Sequence, residues 1–177
     1  MSNKQALREL QQRLAQRMQA AREQAQSASW LAVEAGGVPI LLSLRQAAEI
    51  FTPVPLKAVP YTQPWLLGVA NLRGGLHTVV DLAAFLGLRE AGAGARAEAS
   101  QNRLVTINPD ININCALLVD KLLGLRADEQ LQVESAEAQA GRPRFAGVQM
   151  RDREGRRWQV LDLEALARHE QFLRIVA

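Results

Sequence analysis

Few side chains in this sequence have the chemistry of a catalytic or metal site. The chain contains two histidines, His77 and His169, and one cysteine, Cys115. None of them belongs to a group of His, Cys and Asp residues at the spacing of metal ligands. Cys115 lies in an apolar run, where cysteine is usually a small buried hydrophobic residue rather than a nucleophile. We therefore predict that the protein is not an enzyme and has neither a metal site nor a cofactor.

The glycine-containing stretch from Asn71 to Gly75 is a second candidate for chemistry. A phosphate-binding loop would end in Gly-Lys followed by Ser or Thr, and this stretch lacks that ending. Its flanks are apolar and β-branched, which predicts two strands joined by a tight turn that carries Asn71 and Arg73. Further on, Asp81 directly precedes a run rich in Ala and Leu, which predicts a helix capped by its carboxylate.

The residues around this turn resemble the CheW family of chemotaxis coupling proteins, and within it the PilI-type adaptors of type IV pilus systems. The acidic residue that precedes an isoleucine in the family is matched by Glu49 and Ile50. The resemblance covers about residues 29 to 170. The family's Gly-Val-x-Asn-Leu-Arg-Gly and Val-Asp-Leu motifs are matched by Gly68, Val69, Asn71, Leu72, Arg73 and Gly74, and by Val80, Asp81 and Leu82.

The resemblance implies a mainly β fold, with two small five-stranded β-barrels that share a core, and short helices. It also implies a non-enzymatic adaptor. Such a protein couples the regulatory domain of a chemotaxis-type histidine kinase to the cytoplasmic tip of a methyl-accepting chemoreceptor. In a PilI-like setting the output is twitching motility. The alternatives are a coupling protein of a flagellar chemotaxis system and, from another class, a β-barrel domain that binds a small ligand.

The resemblance further implies which residues bind these partners. In the family, the residues matched by Glu49 and Arg73 lie close together and support the binding surfaces, and those matched by Ala47 and Ile50 contact the receptor. A purely structural salt bridge is the alternative role of the charged pair. If the pair is partly buried, loss of either partner costs about 3–5 kcal/mol. The predicted partner-binding residues are Ala47, Glu49, Ile50, Gly68, Asn71, Arg73 and Gly74.

Two further patterns concern the strands. The stretch 79–86 is echoed by 160–167, with four of eight residues identical, and each predicts a strand that runs into a helix started by aspartate. Two similar barrels in one chain explain this echo. Gly36-Gly37 predicts one hairpin turn, and a second hairpin is predicted between strands at 104–107 and 111–119, with one face of the latter strand in water.

The first 28 residues differ from the CheW-like domain predicted over residues 29–177. From Asn3 to Ser27 the chain has no Gly or Pro and is rich in helix-forming residues, which predicts one amphipathic helix of about six turns. Its apolar stripe packs either on the protein's own body or on a partner or second copy. The stripe consists of Leu7, Leu10, Leu14, Met18 and Ala21.

The distribution of charge along the chain indicates which classes of partner to expect. Residues 1–29 hold five of the 21 basic and two of the 18 acidic residues, so they carry the whole net charge of +3 and the rest is balanced. A balanced body argues against a nucleic-acid surface. No apolar run approaches the ~20 residues of a membrane span, and the N-terminus does not have the pattern of a signal peptide. We therefore predict a cytoplasmic protein without direct membrane insertion, in keeping with its single cysteine.

Overall fold

The computed structural model describes residues 9–19, 28–91, 100–135 and 141–177. Most of the ordered elements in these ranges are β-strands. Residues 9–19 are helical and are called α1. The further elements are β1 (Ala28–Ala35), β2 (Val38–Ser43), β3 (Ala47–Phe51), β4 (Leu66–Leu72), β5 (Gly75–Asp81), α2 (Leu82–Phe85), β6 (Arg103–Ile107), β7 (Cys115–Val119), β8 (Lys121–Ala127), β9 (Leu131–Ser135), β10 (Ala146–Asp152), β11 (Arg157–Leu161), α3 (Leu163–Ala167) and α4 (Glu170–Leu173).

The strands form two sheets. One has six strands in the order β8-β1-β2-β11-β10-β9, and the other has five in the order β3-β6-β7-β5-β4. Neighbouring strands are antiparallel except for two parallel pairs, β2 with β11 and β5 with β7. The mainly β, CheW-like architecture predicted from the sequence is confirmed, with one strand more than expected in the first sheet.

Each sheet wraps around an apolar interior of its own, and the two sheets also share a core. In β7, successive side chains alternate between two clusters, so Leu117 lies in the shared core and Leu118 in the interior of the five-stranded sheet. The interior of the six-stranded sheet contains Trp158 together with residues from all six strands. A sheet whose strands all contribute to one cluster must be strongly curved, which is the arrangement expected of two barrels with a common core.

The internal echo in the sequence corresponds to a structural repeat. Asp81 ends β5 and caps α2 by accepting the N–H of Ala84, and Asp162 follows β11 and caps α3 by accepting the N–H of Ala165. The backbone N–H of each aspartate donates, at 2.9 Å, to the carbonyl of an aromatic residue, Trp65 for Asp81 and Phe145 for Asp162. The prediction of two strands that each run into an Asp-capped helix is therefore confirmed.

The predicted strand at 111–119 is wrong in its first half. The side chain of Asn108 accepts the N–H of Asp110 and starts a short 3₁₀ turn, and Asn112 then takes a left-handed conformation with φ of 61°. The strand begins only at Cys115 and is buried on both faces, so the expected wet face does not exist. The asparagines belong to the connecting turn, where left-handed backbone and side-chain caps suit them.

Only part of the predicted N-terminal helix lies within the described residues. Residues 9–19 are helical as predicted, while 1–8 and 20–27 lie outside the described ranges. Leu10, Leu14 and Met18 of the apolar stripe are each about half exposed, so the protein's own body does not cover this part of it. No helix in the described part of the chain is both long and apolar enough to cross a membrane.

One guanidinium ties the two sheets together. Arg89 donates to both carboxylate oxygens of the fully buried Asp81, at 2.7 and 3.2 Å, and also to Asp120, between β7 and β8. Asp120 in turn accepts the N–H of Gly36 in the β1–β2 turn at 2.7 Å. Burial opposes the charged form of Arg89, yet the two carboxylates raise its pKa above the ordinary value. Arg89 and its two carboxylate partners thus connect segments of both sheets.

Replacing Arg89 should cost much more stability than replacing an exposed arginine. We expect Arg89→Met to lower the free energy of unfolding by about 3–5 kcal/mol, since it leaves the buried carboxylate of Asp81 without its cation. The measurement is urea denaturation at neutral pH. The control, Arg168→Met, removes an exposed ion pair with Glu164 and should cost about 0.5 kcal/mol or less. Equal losses in the two variants would contradict this account of the network.

The thiol of Cys115 should be unreactive until the protein unfolds. Its thiol lies in the shared core, and burial raises its pKa to about 12. The thiolate that reacts with a disulfide reagent is therefore absent at neutral pH. We expect no reaction of the native protein with Ellman's reagent and release of one equivalent of chromophore in urea. A native-state reaction as fast as that of the unfolded chain would contradict the burial of this thiol.

Candidate functional site

An exposed ion pair joins the two outermost strands of the five-stranded sheet. Glu49 lies on β3 and Arg73 in the turn between β4 and β5, and Arg73 Nη1 is 2.8 Å from Glu49 Oε2. Because β3 and β4 stand at opposite ends of the strand order, this contact requires the sheet to curl until its edges meet. We call the place where β3 meets the β4–β5 turn the seam. The guanidinium of Arg73 also lies 6.0 Å from the ring centre of Phe51.

Arg73 is held in a backbone conformation that arginine seldom adopts. Arg73 and Gly74 have φ of 50° and 84° and form the two central residues of a tight turn between the paired Leu72 and Gly75. Positive φ at both positions is the pattern of a type I′ hairpin turn, for which Asn-Gly is preferred. A side chain with a Cβ in this conformation costs roughly 1–2 kcal/mol. Such strain is a feature of sites where the side chain itself has a use.

Asn71 supports the same turn from the end of β4. Its side-chain oxygen accepts the backbone N–H of Gly74 at 2.8 Å. The amide is exposed, as are Arg73 and Gly74. The three motif residues therefore form one small surface feature, in which Asn71 and Gly74 make the turn and Arg73 projects from it.

The Glu49–Arg73 pair is too exposed to hold the fold together. The side chains are 47% and 76% exposed, respectively, so the condition of partial burial under which a large energy was expected is not met. An exposed pair contributes about 0.2–1 kcal/mol. The loss of about 3–5 kcal/mol, which was expected only for a partly buried pair, therefore does not apply here, because water already solvates both charges.

The seven predicted binding residues divide into an exposed group and a buried group. Besides the turn residues, Glu49 and the neighbouring Ile50 are exposed on β3, whereas Ala47 and Gly68 are buried. Gly68 has φ of 138°, and a Cβ there would lie 2.4 Å from the carbonyl oxygen of Lys57. Glycine thus lets the chain at Lys57 lie directly against β4. A part in partner binding for either buried residue remains a prediction, and it would act through support of the surface.

Each of the two histidines has a contact within the described residues. His77 Nδ1 lies 3.0 Å from the carbonyl oxygen of Gly75, and the ring of His169 packs edge-on against Phe145 at 4.8 Å. Within the described ranges, no three His, Cys, Asp or Glu side chains are grouped so that they could hold a metal ion.

Two residues that touch the site were not singled out from the sequence. Phe51 lies beneath the guanidinium of Arg73, and the buried Thr106 of β6 contacts the backbone of Glu49. Each sits in an apolar or β-branched run that indicates a strand and nothing more. The only sequence signal for Thr106 is a hydroxyl at a position where the pattern favours an aliphatic residue.

Comparison with known proteins agrees with the fold and the motif. Residues 29–171 match the model of the CheW-like domain family. Protein PilI of Pseudomonas aeruginosa is 29% identical over 167 residues, which cover 91% of this chain and 87% of that protein. A probable chemotaxis protein CheW of Rhizobium etli is 35% identical over 66 residues, 37% of this chain and 43% of that protein.

A solved structure shares the architecture at low sequence identity. The scaffolding protein TtCheW of Thermoanaerobacter tengcongensis superimposes with a TM-score of 0.62 and 14% identity, over 77% of this chain and 89% of that one. This similarity speaks for the fold alone. Since the family model spans most of the chain, including both sheets and the seam, the chain belongs to the CheW-like domain family.

Proposed function

We propose that this protein is a non-enzymatic adaptor of a type IV pilus chemosensory system that controls twitching motility. It binds the regulatory domain of a chemotaxis-type histidine kinase and the cytoplasmic tip of a methyl-accepting chemoreceptor. The observation that carries the proposal is the exposed Glu49–Arg73 pair, which lies on the motif shared with the family and contributes little to the stability of the fold.

The relatives favour a pilus system over a flagellar one. The similarity to Protein PilI extends over 91% of this chain and so includes residues on both sides of the seam. The similarity to the probable CheW extends over 37%. A flagellar coupling protein is therefore the second candidate, and the binding experiment below distinguishes the two.

The properties of the seam suit protein binding. The carboxylate of Glu49 and the guanidinium of Arg73 stand side by side, next to the exposed apolar side chain of Ile50. Opposite charges at the edge of an interface fix the register of a partner and exclude wrong partners, and the apolar neighbour supplies area that is buried on binding. The strained backbone of Arg73 holds its side chain outward before any partner arrives.

The mechanism of such an adaptor is positional. When one rigid body binds both kinase and receptor, a change of receptor conformation alters the free energy of the kinase states through the shared contacts. The adaptor itself makes or breaks no covalent bond. Its two sheets share one core and are cross-linked by Arg89, which suits a body that transmits a displacement without absorbing it.

The proposal predicts that one substitution weakens binding strongly and changes stability little. Arg73→Asn creates an Asn-Gly turn, so the free energy of unfolding should stay within about 1 kcal/mol of wild type or rise, because the relieved strain offsets the lost ion pair. The shorter amide does not reach Glu49 or a partner, and binding of the kinase regulatory domain should weaken about tenfold or more. Calorimetric titration and urea denaturation measure the two quantities.

The matched control removes an arginine of similar exposure elsewhere. Arg168→Asn, at the residue that follows α3, changes the net charge equally and should bind like wild type. Wild-type affinity in a folded Arg73→Asn variant removes Arg73 from the binding surface. Binding to the flagellar kinase but not to the pilus kinase of the same organism supports the flagellar alternative, and binding to neither contradicts the adaptor proposal.

A further inference from the structure

Strand β3 contains a bulge at the seam. Its pairing with β6 shifts between Ala47 and Ile50, so that Ala48 and Glu49 together face one residue of β6, Thr106. A bulge interrupts the regular ladder of backbone hydrogen bonds, and the backbone groups of the extra residue then need other partners.

The hydroxyl of Thr106 forms hydrogen bonds with both backbone groups of Glu49, its N–H and its carbonyl. Thr106 Oγ1 accepts the N–H of Glu49 at 2.9 Å and donates to the carbonyl oxygen of the same residue at 3.2 Å. Thr106 is 5% exposed, and its own strand is held by pairing with Ala116 of β7. A hydroxyl is both donor and acceptor, whereas the isosteric side chain of valine is neither. The hydrogen bonds therefore fix Glu49 to the neighbouring strand β6.

The bulge changes which side chains face outward. In a regular strand, neighbouring residues point to opposite faces. In β3, Ala47 is buried and the next three residues are all exposed, so Glu49 and Ile50 face solvent although they are adjacent. Bulges are known to re-aim side chains in this way. The arrangement presents a carboxylate and an aliphatic side chain together, beside Arg73.

We propose that Thr106 is a positioning residue for partner binding, which holds the bulge so that Glu49 and Ile50 face the partner together. The inference rests on the proposed function, since it concerns the same surface. Thr106 itself is buried and acts only through the two residues that it positions, Glu49 and Ile50. A regular ladder would satisfy the same backbone groups without any hydroxyl, but it would turn one of these two side chains inward.

The test compares variants of Thr106 in the full-length chain, titrated with the regulatory domain of the pilus-type kinase. Thr106→Val keeps the shape and removes the hydroxyl, and we expect about tenfold weaker binding, which corresponds to the loss of one or two hydrogen bonds. Thr106→Ser keeps the hydroxyl and should bind within about twofold of wild type on the same reasoning. Thr106→Ala replaces the valine variant if the latter fails to fold.

A mutant cycle with the paired substitutions Glu49→Ala and Ile50→Ala separates positioning from general loss of structure. If Thr106 acts through Glu49 and Ile50, Thr106→Val should weaken binding no further once both side chains have been truncated, whereas independent effects would multiply. If the losses of affinity multiply, or if Thr106→Val binds with wild-type affinity, the inference is overturned. In either case, weaker binding of Arg73→Asn still supports the proposed function. If wild-type protein binds no chemosensory kinase, the proposed function fails and the inference fails with it.

Discussion

The strands at the centre of both sheets are buried on two faces, and this constraint determines what the remaining residues can do. In β7 every side chain lies either in the shared core or in the interior of the five-stranded sheet, so a register shift of one residue would exchange side chains between the two clusters and bring Asn114 or Asp120 into a buried position. The same core holds one sheet against the other. Since central strands have no free surface, recognition is left to turns, edge strands and helix ends.

The seam is such a place, and its residues have properties that the core does not need. Charged side chains are exposed there, Arg73 occupies a strained turn position, and β3 departs from regular pairing by a bulge. None of these features improves packing. They are consistent with a surface whose shape matters to a partner, on a body made rigid by the common core and by the charge network around Arg89.

Features set by nearby residues could be predicted from the sequence, and those set by distant contacts could not. The β4–β5 turn and the Asp81 and Asp162 caps follow from residues within a few positions, and all were predicted. The link of Thr106 to Glu49 spans 57 residues, and that of Arg89 to Asp120 spans 31. No local pattern marks such pairs. The exposure of the Glu49–Arg73 pair also depends on how the sheet curls, which sequence spacing does not reveal.

We propose that this protein binds its kinase through the seam. Hydrogen–deuterium exchange of the whole chain, with and without the kinase regulatory domain, is the best test because it maps contact without altering any residue. We expect slower exchange in β3 and in residues 71–75 on binding, and unchanged exchange in the β10–β11 hairpin of the other sheet. Protection of that hairpin with none at the seam would contradict the claim.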